Sequence, residues 1–394
     1  MNSFLKRAEE IKDTIIKDRR TIHGYAEIEF DLEKTVAYVC KNLKEAGIEP
    51  KIVGKSGITC LIGNGKGKTI LIRGDMDALP MKEESGLDFA ATNGNCHSCG
   101  HDSHTAMLLA AAKLLKERES EINGYVKFMF QPAEEILAGA NDMIENGILE
   151  NPHVDAAMGI HIEVGKEDTT LCHTTYGKGS YTFSGDFVRI KIRGNEAHGS
   201  RPESGVDAIN IAAHTVIALQ EIIAREISCK DNAVVLVGKI SGGTSCNTES
   251  GDAELEVSVR ATTEEQREFL KNRVKEIAEC TAATFRGKAD VEFVYGIPPL
   301  VTDADLSTEL AKYFGEIVGE ENMVPLTEVR CGTEDFTAVA SKVPSAYYNI
   351  GAGSIGEGYI HGQHHPAMVI NEDVLPYGAA AYANCAYEYL KNNK

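Results

Sequence analysis

The order of apolar runs constrains this chain more than any other feature. Strand-like runs stand at GITCLIG (57–63), TILIRGDMD (69–77), YVKFMFQ (125–131) and DAAMGIHI (155–162), and the helix-like HTAMLLAAAKLLKERE (104–119) lies between the second and third. Strands alternating with helices in this way predict an α/β layered domain. Two amphipathic helices are predicted ahead of it, over residues 4–20 and 32–47, the latter closed by Gly47 in a C-cap position. The style then changes. DFVRIKIRG (186–194), a helix-like run over 205–226, NAVVLVGKI (232–240), AELEVSVRA (253–261), a second helix-like run over 263–283 and ADVEFVYG (289–296) follow in order. That is the βαββαβ arrangement, a four-stranded sheet with both helices on one face, able to stand alone. The α/β style resumes with a buried strand in VPSAYYNIGAG (343–353) and a terminal helix in NEDVLPYGAAAYANCAYEYLKN, with Asn371 as its cap. The expected organisation is one α/β domain, residues 1–184 plus 298–394, interrupted by an inserted domain at 185–297.

Composition excludes several function classes. With 394 residues, 43% of them hydrophobic, the chain can bury one or two large cores. Its formal charge of −19 would repel a phosphate backbone, and no Lys/Arg cluster overrides it, so no nucleic-acid partner is expected. No apolar run approaches the ~18 residues of a membrane helix, and the charged N-terminal stretch is no secretory signal. Ten dispersed cysteines suit reduced thiols in the cytoplasm rather than a disulfide framework.

Chemistry concentrates in a few short segments. NCHSCGHDSHTAM (95–107) offers Cys96 and Cys99 as a CxxC pair, which would suggest a structural zinc or redox site. A closed zinc site needs four ligands, however, and no second pair exists. Cys99 and His101 form a CxH pair able to converge on one ion. QPAEE (131–135) places Glu134 and Glu135 where an apolar strand ends, the edge at which open α/β sheets bind ligands. Adjacent side chains diverge, so one carboxylate can bind a metal while its neighbour handles a proton. His161 lies inside an apolar strand, and His361, His364 and His365 share a glycine-containing loop before the last helix.

RGDMDALPM (73–81), CHSCGHDSHTAMLLAAA (96–112), QPAEE, GIHI, AHGSRP (197–202), GTEDF (332–336) and HHP (364–366) occur in this order. Together they resemble the aminoacylase and carboxypeptidase clan of dinuclear metallohydrolases. Within it they are most similar to the amidohydrolase branch of indole-acetyl-amino-acid hydrolases, hippurate hydrolases and N-acetyldiaminopimelate deacetylases. The resemblance runs from the HGYAEIEF segment at His23 to the terminal helix. It implies a zinc-peptidase-like α/β catalytic domain carrying an inserted lid and dimerisation domain.

Residue by residue, the resemblance makes Cys99, His101, Glu135, His161 and His364 the ligands of two divalent metal ions. Zinc is the first expectation, with manganese, cobalt or nickel as alternatives. Glu134 becomes the general base, and His198 reaches the partner's active site in a homodimer joined through the insert, stabilising the oxyanion. Asn247 and Arg260 grip a substrate carboxylate. Asp75 and Asp77, where other branches carry a ligand histidine, orient a ligand from behind. The histidine taken as the last ligand is His364, two residues before the proline. Glu334 lies near the site without an assigned role. The implied activity is hydrolysis of the amide bond of an N-acyl amino acid, with a carboxypeptidase or dipeptidase as the alternative and a non-catalytic CxxC protein behind both. Ala26, Cys96, the stretch 248–253 and Met368 depart from the branch's usual residues, which leaves the acyl group and the amino acid open.

Overall fold

The computed structural model describes residues 2–393. Two compact units share the chain. The first comprises the chain up to Gly179, Val301–Glu328 and everything from Glu334 onward; the second comprises Ser180–Leu300 and Val329–Thr333. Numbered along the chain, the first unit holds β1 (Lys51–Val53), β2 (Gly57–Gly63), β3 (Thr69–Asp75), β4 (Tyr125–Gln131), β5 (Ala156–Glu163), β6 (Thr174–Tyr176), β13 (Met323–Pro325) and β14 (Ser345–Gly351). The second holds β7 (Gly185–Arg193), β8 (Ala197–His198), β9 (Ala233–Gly242), β10 (Thr248–Glu249), β11 (Asp252–Ala261) and β12 (Lys288–Ile297).

The first unit is a mixed sheet of order β1-β2-β4-β3-β5-β14-β6-β13. Its central four strands, β4, β3, β5 and β14, run parallel. Every residue of β3 and of β14 is buried, as expected of parallel strands covered on both faces. Parallel registry brings the carboxyl ends of these strands to one edge: Asp75 is level with Gln131, and His161 with Asn349. The helix His101–Lys116 is buried nearly all round, because its apolar residues leave no polar face.

That helix begins at His101, earlier than the sequence predicted. Gly100 starts it with φ +93°, a left-handed conformation, and a Cβ there would stand 2.4 Å from Ile162 Cδ1. Only glycine fits both demands. The predicted helix over 4–20 is two helices, Ser3–Glu10 and Lys12–Tyr25, interrupted at Ile11. Gly47 does close the helix Glu33–Glu45, with φ +72°. Asn371 is not the cap of the terminal helix. That helix starts at Val374, and Asn371 Oδ1 instead accepts from the N–H of Asp373 ahead of it. A further helix, Ala304–Val318, capped by Asp303 through the N–H of Leu306, was not foreseen. Among the described residues, no helix is long and apolar enough to cross a membrane.

The second unit is an antiparallel sheet of order β12-β7-β11-β9. Its strands alternate buried and open residues. Val188, Ile190, Leu255 and Val257 point into a core shared with the helices Ala208–Glu221 and Glu264–Thr284. Cross-strand ion pairs such as Arg189–Glu254 and Lys239–Glu256 are partly open to solvent, the period-two pattern of a half-covered sheet.

Candidate metal centre

The loops leaving β3, β4 and β5, the start of the helix at His101 and the segment before the terminal helix bring their polar side chains together. Cys99 Sγ lies 3.4 Å from His161 Nε2. His101 Nε2 lies 3.9 Å from both Glu134 Oε2 and Glu135 Oε1. His364 Nε2 lies 3.4 Å from Glu135 Oε2. Five overlapping groups result among the described residues, each with donor atoms within 4.8 Å of one another: Cys99–His101–His161, His101–Glu134–Glu135, Cys99–Glu135–His364, Asp75–His101–His104 and Glu134–Glu334–Asp335. His364 sits at φ +63° and Ala133, just ahead of the glutamates, at φ +53°. Non-glycine residues adopt such backbone uncommonly, and keep it where their surroundings hold them there. His361 and His365 instead stack on each other at 3.9 Å.

The fit to cations can be tested on lone pairs. His101 Nδ1 donates to the carbonyl of Asp77 at 2.9 Å, and His161 Nδ1 to the carbonyl of Ile162 at 2.5 Å. Each ring therefore carries a proton on Nδ1 and turns Nε2 toward the cluster as the atom free to bind a metal, as metal-binding histidines do. His101 Nε2 and Glu135 Oε1 are buried without a hydrogen-bond partner among the described residues. Leaving such atoms unpaired costs about 1–3 kcal/mol each. A divalent ion taking both lone pairs removes that cost, so the donor set fits a metal.

A second layer holds these groups in place. The Asp77 carboxylate accepts the backbone N–H of Glu134 at 3.0 Å and of Glu135 at 3.1 Å. Asp75 accepts from His104 Nδ1 at 2.5 Å, and His104 Nε2 in turn accepts the N–H of Ile162, beside His161, at 2.9 Å. Arg73, wholly buried, pairs with Asp75 at 2.6 Å, Glu334 at 2.8 Å and Asp335 at 3.0 Å, and donates to Gln131 Oε1 at 2.9 Å. Tyr347 donates to the other oxygen of Glu334. Sequence reasoning missed Arg73, Gln131, His104, Asp335 and Tyr347. One signal was available: an arginine inside the apolar strand TILIRGD must be paired to be buried.

Proton affinities follow from these surroundings. Burial raises the Glu134 carboxyl well above the ordinary carboxylate range, and the charges of Glu334 and Asp335 add to it. Burial also pushes Glu135 up to about 7, against the pull of His101. Asp75 goes the other way: burial would raise it, but the charges of Arg73, His101 and His104 together outweigh burial. Burial raises the Cys99 thiol and lowers His161. Bound cations would reverse the thiol's preference, since ligation needs the thiolate.

Cys96 is buried, but its electrostatic neighbours are Glu83, Ser98 and Asp102 rather than the donor cluster. The other predicted residues belong to the second unit. His198 is exposed, its Nδ1 3.2 Å from the N–H of Ser200, and its strand β8 pairs with β10. Asn247 lies beside it, its carbonyl accepting from Gly199 at 2.7 Å. Arg260 stands on β11 opposite Val234 of β9.

The parallel strands at the centre of the sheet thus present, at their carboxyl edge, a donor set able to hold metal, and the similarities that follow make the chain a hydrolase of amide bonds. The chain belongs to Peptidase family M20/M25/M40, whose profile matches residues 71–388. It is 34% identical to the IAA-amino acid hydrolase ILR1-like 2 of Arabidopsis thaliana, over 98% of this chain and 87% of that protein. It is 34% identical to the N-acetyl-L-cysteine deacetylase of Bacillus subtilis, over 93% and 85%. Thermostable carboxypeptidase 1 of Saccharolobus solfataricus is 32% identical over 96% of each. Among solved structures, a putative aminohydrolase from methicillin-resistant Staphylococcus aureus superposes with a TM-score of 0.92 at 32% identity, covering 99% of this chain and 100% of that one. The Bacillus subtilis YXEP protein, described as a dinuclear metal binding peptidase, does so at 0.82 and 29%, covering 97% and 99%.

Proposed function

We propose that this chain hydrolyses the amide bond of N-acyl amino acids, releasing a carboxylic acid and a free amino acid. Two divalent cations are held by Cys99, His101, Glu135, His161 and His364. Zinc is favoured by the thiolate, with manganese, cobalt and nickel the other candidates. The observation that carries this reading is the pair of buried, unpartnered donor atoms, His101 Nε2 and Glu135 Oε1, converging beside Cys99. Two cations supply Lewis acidity to a water and to the scissile carbonyl. Glu134 takes the water's proton and returns it to the departing amine, a role suited to a carboxylate whose proton affinity is raised. Asp77 fixes the backbone that carries both glutamates, and Asp75 steadies His161 through His104. Arg260, with its forked guanidinium, and Asn247 grip the substrate carboxylate. His198 of the second copy in a homodimer donates to the developing oxyanion.

Dimerisation through the second unit is supported by edge strand β9, which exposes Leu236 (57%) and Ile240 (53%), and by Ile217, 69% exposed on the adjoining helix. Open apolar edges of this kind are rarely left unpaired. A cytoplasmic location suits ten cysteines without a disulfide.

The names of the deacetylase and IAA-amino acid hydrolase relatives support the substrate class; the carboxypeptidase relative supports the second reading, peptide-bond cleavage at the same site. The deciding experiment reconstitutes metal-free protein with zinc, manganese or cobalt and screens N-acetyl, N-benzoyl and indole-acetyl amino acids against dipeptides and blocked peptides. Turnover of N-acyl amino acids is expected to exceed that of peptides. Cleavage of peptides alone would replace this reading with the second.

A further inference from the structure

The second helix, Lys12–Tyr25, presents Arg19 and His23 one turn apart, both buried. They meet at one carboxylate. Arg19 Nε lies 2.9 Å and His23 Nδ1 2.8 Å from Asp102 Oδ2, and Asp102 directly follows His101. From there two routes lead to the segment that carries His364. His23 Nε2 contacts Glu83 at 2.9 Å, Glu83 accepts the N–H of Ala91 at 2.7 Å, and the N–H of Glu84 donates to the carbonyl of Pro366 at 2.8 Å. Arg19 Nη1 donates to Glu372 at 2.9 Å, and Arg20 holds the same carboxylate. His364 needs such support. Its side chain is 56% exposed, its backbone is left-handed, and its N–H is tied to the carbonyl of Ser98 at 2.8 Å.

We infer that Arg19 and His23 are positioning residues that fix His364 against Cys99 and Glu135, and so complete the second of the two cation positions. This rests on the metal reading above. The first position, among Cys99, His101 and His161, has supports of its own in the sheet and in His104, which reaches the N–H of Ile162 beside His161. Both residues precede the span 71–388 matched by the family profile, so nothing in that match assigns them a role. His23 stays charged at neutral pH, its pKa raised to about 9: burial opposes this, but hydrogen bonds to Asp102 and Glu83 outweigh it.

Titration of the chelated, full-length protein with cobalt(II) tests the inference, because d–d bands and the thiolate-to-cobalt absorption count ions as they bind. The wild type is expected to take up two. His23→Gln and Glu372→Gln are expected to bind the first as the wild type does, with the same thiolate band, and the second at least tenfold more weakly. Glu372→Gln leaves Asp102 paired and its own side chain is partly open to solvent (16%), so it reads out even where His23→Gln fails to fold. Arg19→Lys, which keeps the charge but loses the fork, is expected to fall between. Wild-type affinity for both ions in Glu372→Gln and in folded His23→Gln overturns the inference, whatever happens to melting temperature. A wild-type protein that binds no cobalt overturns the metal reading itself.

Discussion

Asp77→Asn isolates the residue that carries the glutamate pair. Its carboxylate accepts two backbone N–H groups, from Glu134 and Glu135, with both acceptor oxygens in use. Asparagine keeps one oxygen and turns an NH2 group toward the second N–H. A lost hydrogen bond to a charged acceptor costs about 1.5–3 kcal/mol, and a buried N–H left facing a donor about 1–3 kcal/mol. Taken near their lower ends, these sum to about 3 kcal/mol, and they fall on the turn that positions Glu135. At about 1.4 kcal/mol per tenfold, metal affinity should drop roughly 100-fold, the upper end of what such supporting groups usually contribute. Competition against a chelator of known affinity reads this directly. At saturating metal, kcat is expected to recover only partly, since Glu134 shares the turn. A variant whose metal affinity stays within twofold of wild type refutes the reasoning, because it would show that the turn keeps its shape without the carboxylate.

Three other perturbations separate the roles assigned above. Glu134→Gln should retain both ions while kcat falls by about 10²–10⁴; full activity in this variant would end its assignment as the base. Cys99→Ala should lose metal and activity together, whereas Cys96→Ala should keep both, as metal analysis and turnover will show. His23 predicts an alkaline loss of stability. Its pKa is raised from 6.5 to about 9, so the stabilisation is fully present below pH 6.5 and disappears as pH climbs through 9, up to about 3 kcal/mol in all. Thermal unfolding of chelated protein between pH 6 and 10 measures it, and His23→Gln should flatten that slope.

The donor cluster was legible because most of its members sit in short motifs at a strand end or helix start. Cys99 and His101 precede a helix, and Glu134 and Glu135 follow β4. Their supports were not legible for a geometric reason: Arg73 finds Gln131 58 positions away and Glu334 261 positions away, separations over which sequence pattern carries no pairing information. Glu334 was placed near the site but given no task, and the task turns out to be holding Arg73 and accepting from Tyr347. The break at Ile11 has neither glycine nor proline to announce it. β6 and β13, three residues each, are too short for alternation to register. The helix Ala304–Val318 is different, since Asp303 and its apolar spacing were there to be read.

Arg73 carries one more consequence. Its guanidinium takes partners from β3 itself, from the end of β4 and from the segment at Glu334 and Asp335, with no solvent to stand in for any of them. A chain in which the Glu334 segment has not docked keeps Arg73 paired to Asp75 but strips Nη2 of both its carboxylates, a buried charged donor too costly to leave unpaired. Completing the acidic cluster beside Glu134 and burying β3 are therefore one cooperative event. Slow exchange of the β3 amides with solvent deuterium would report an assembled surrounding for Glu134.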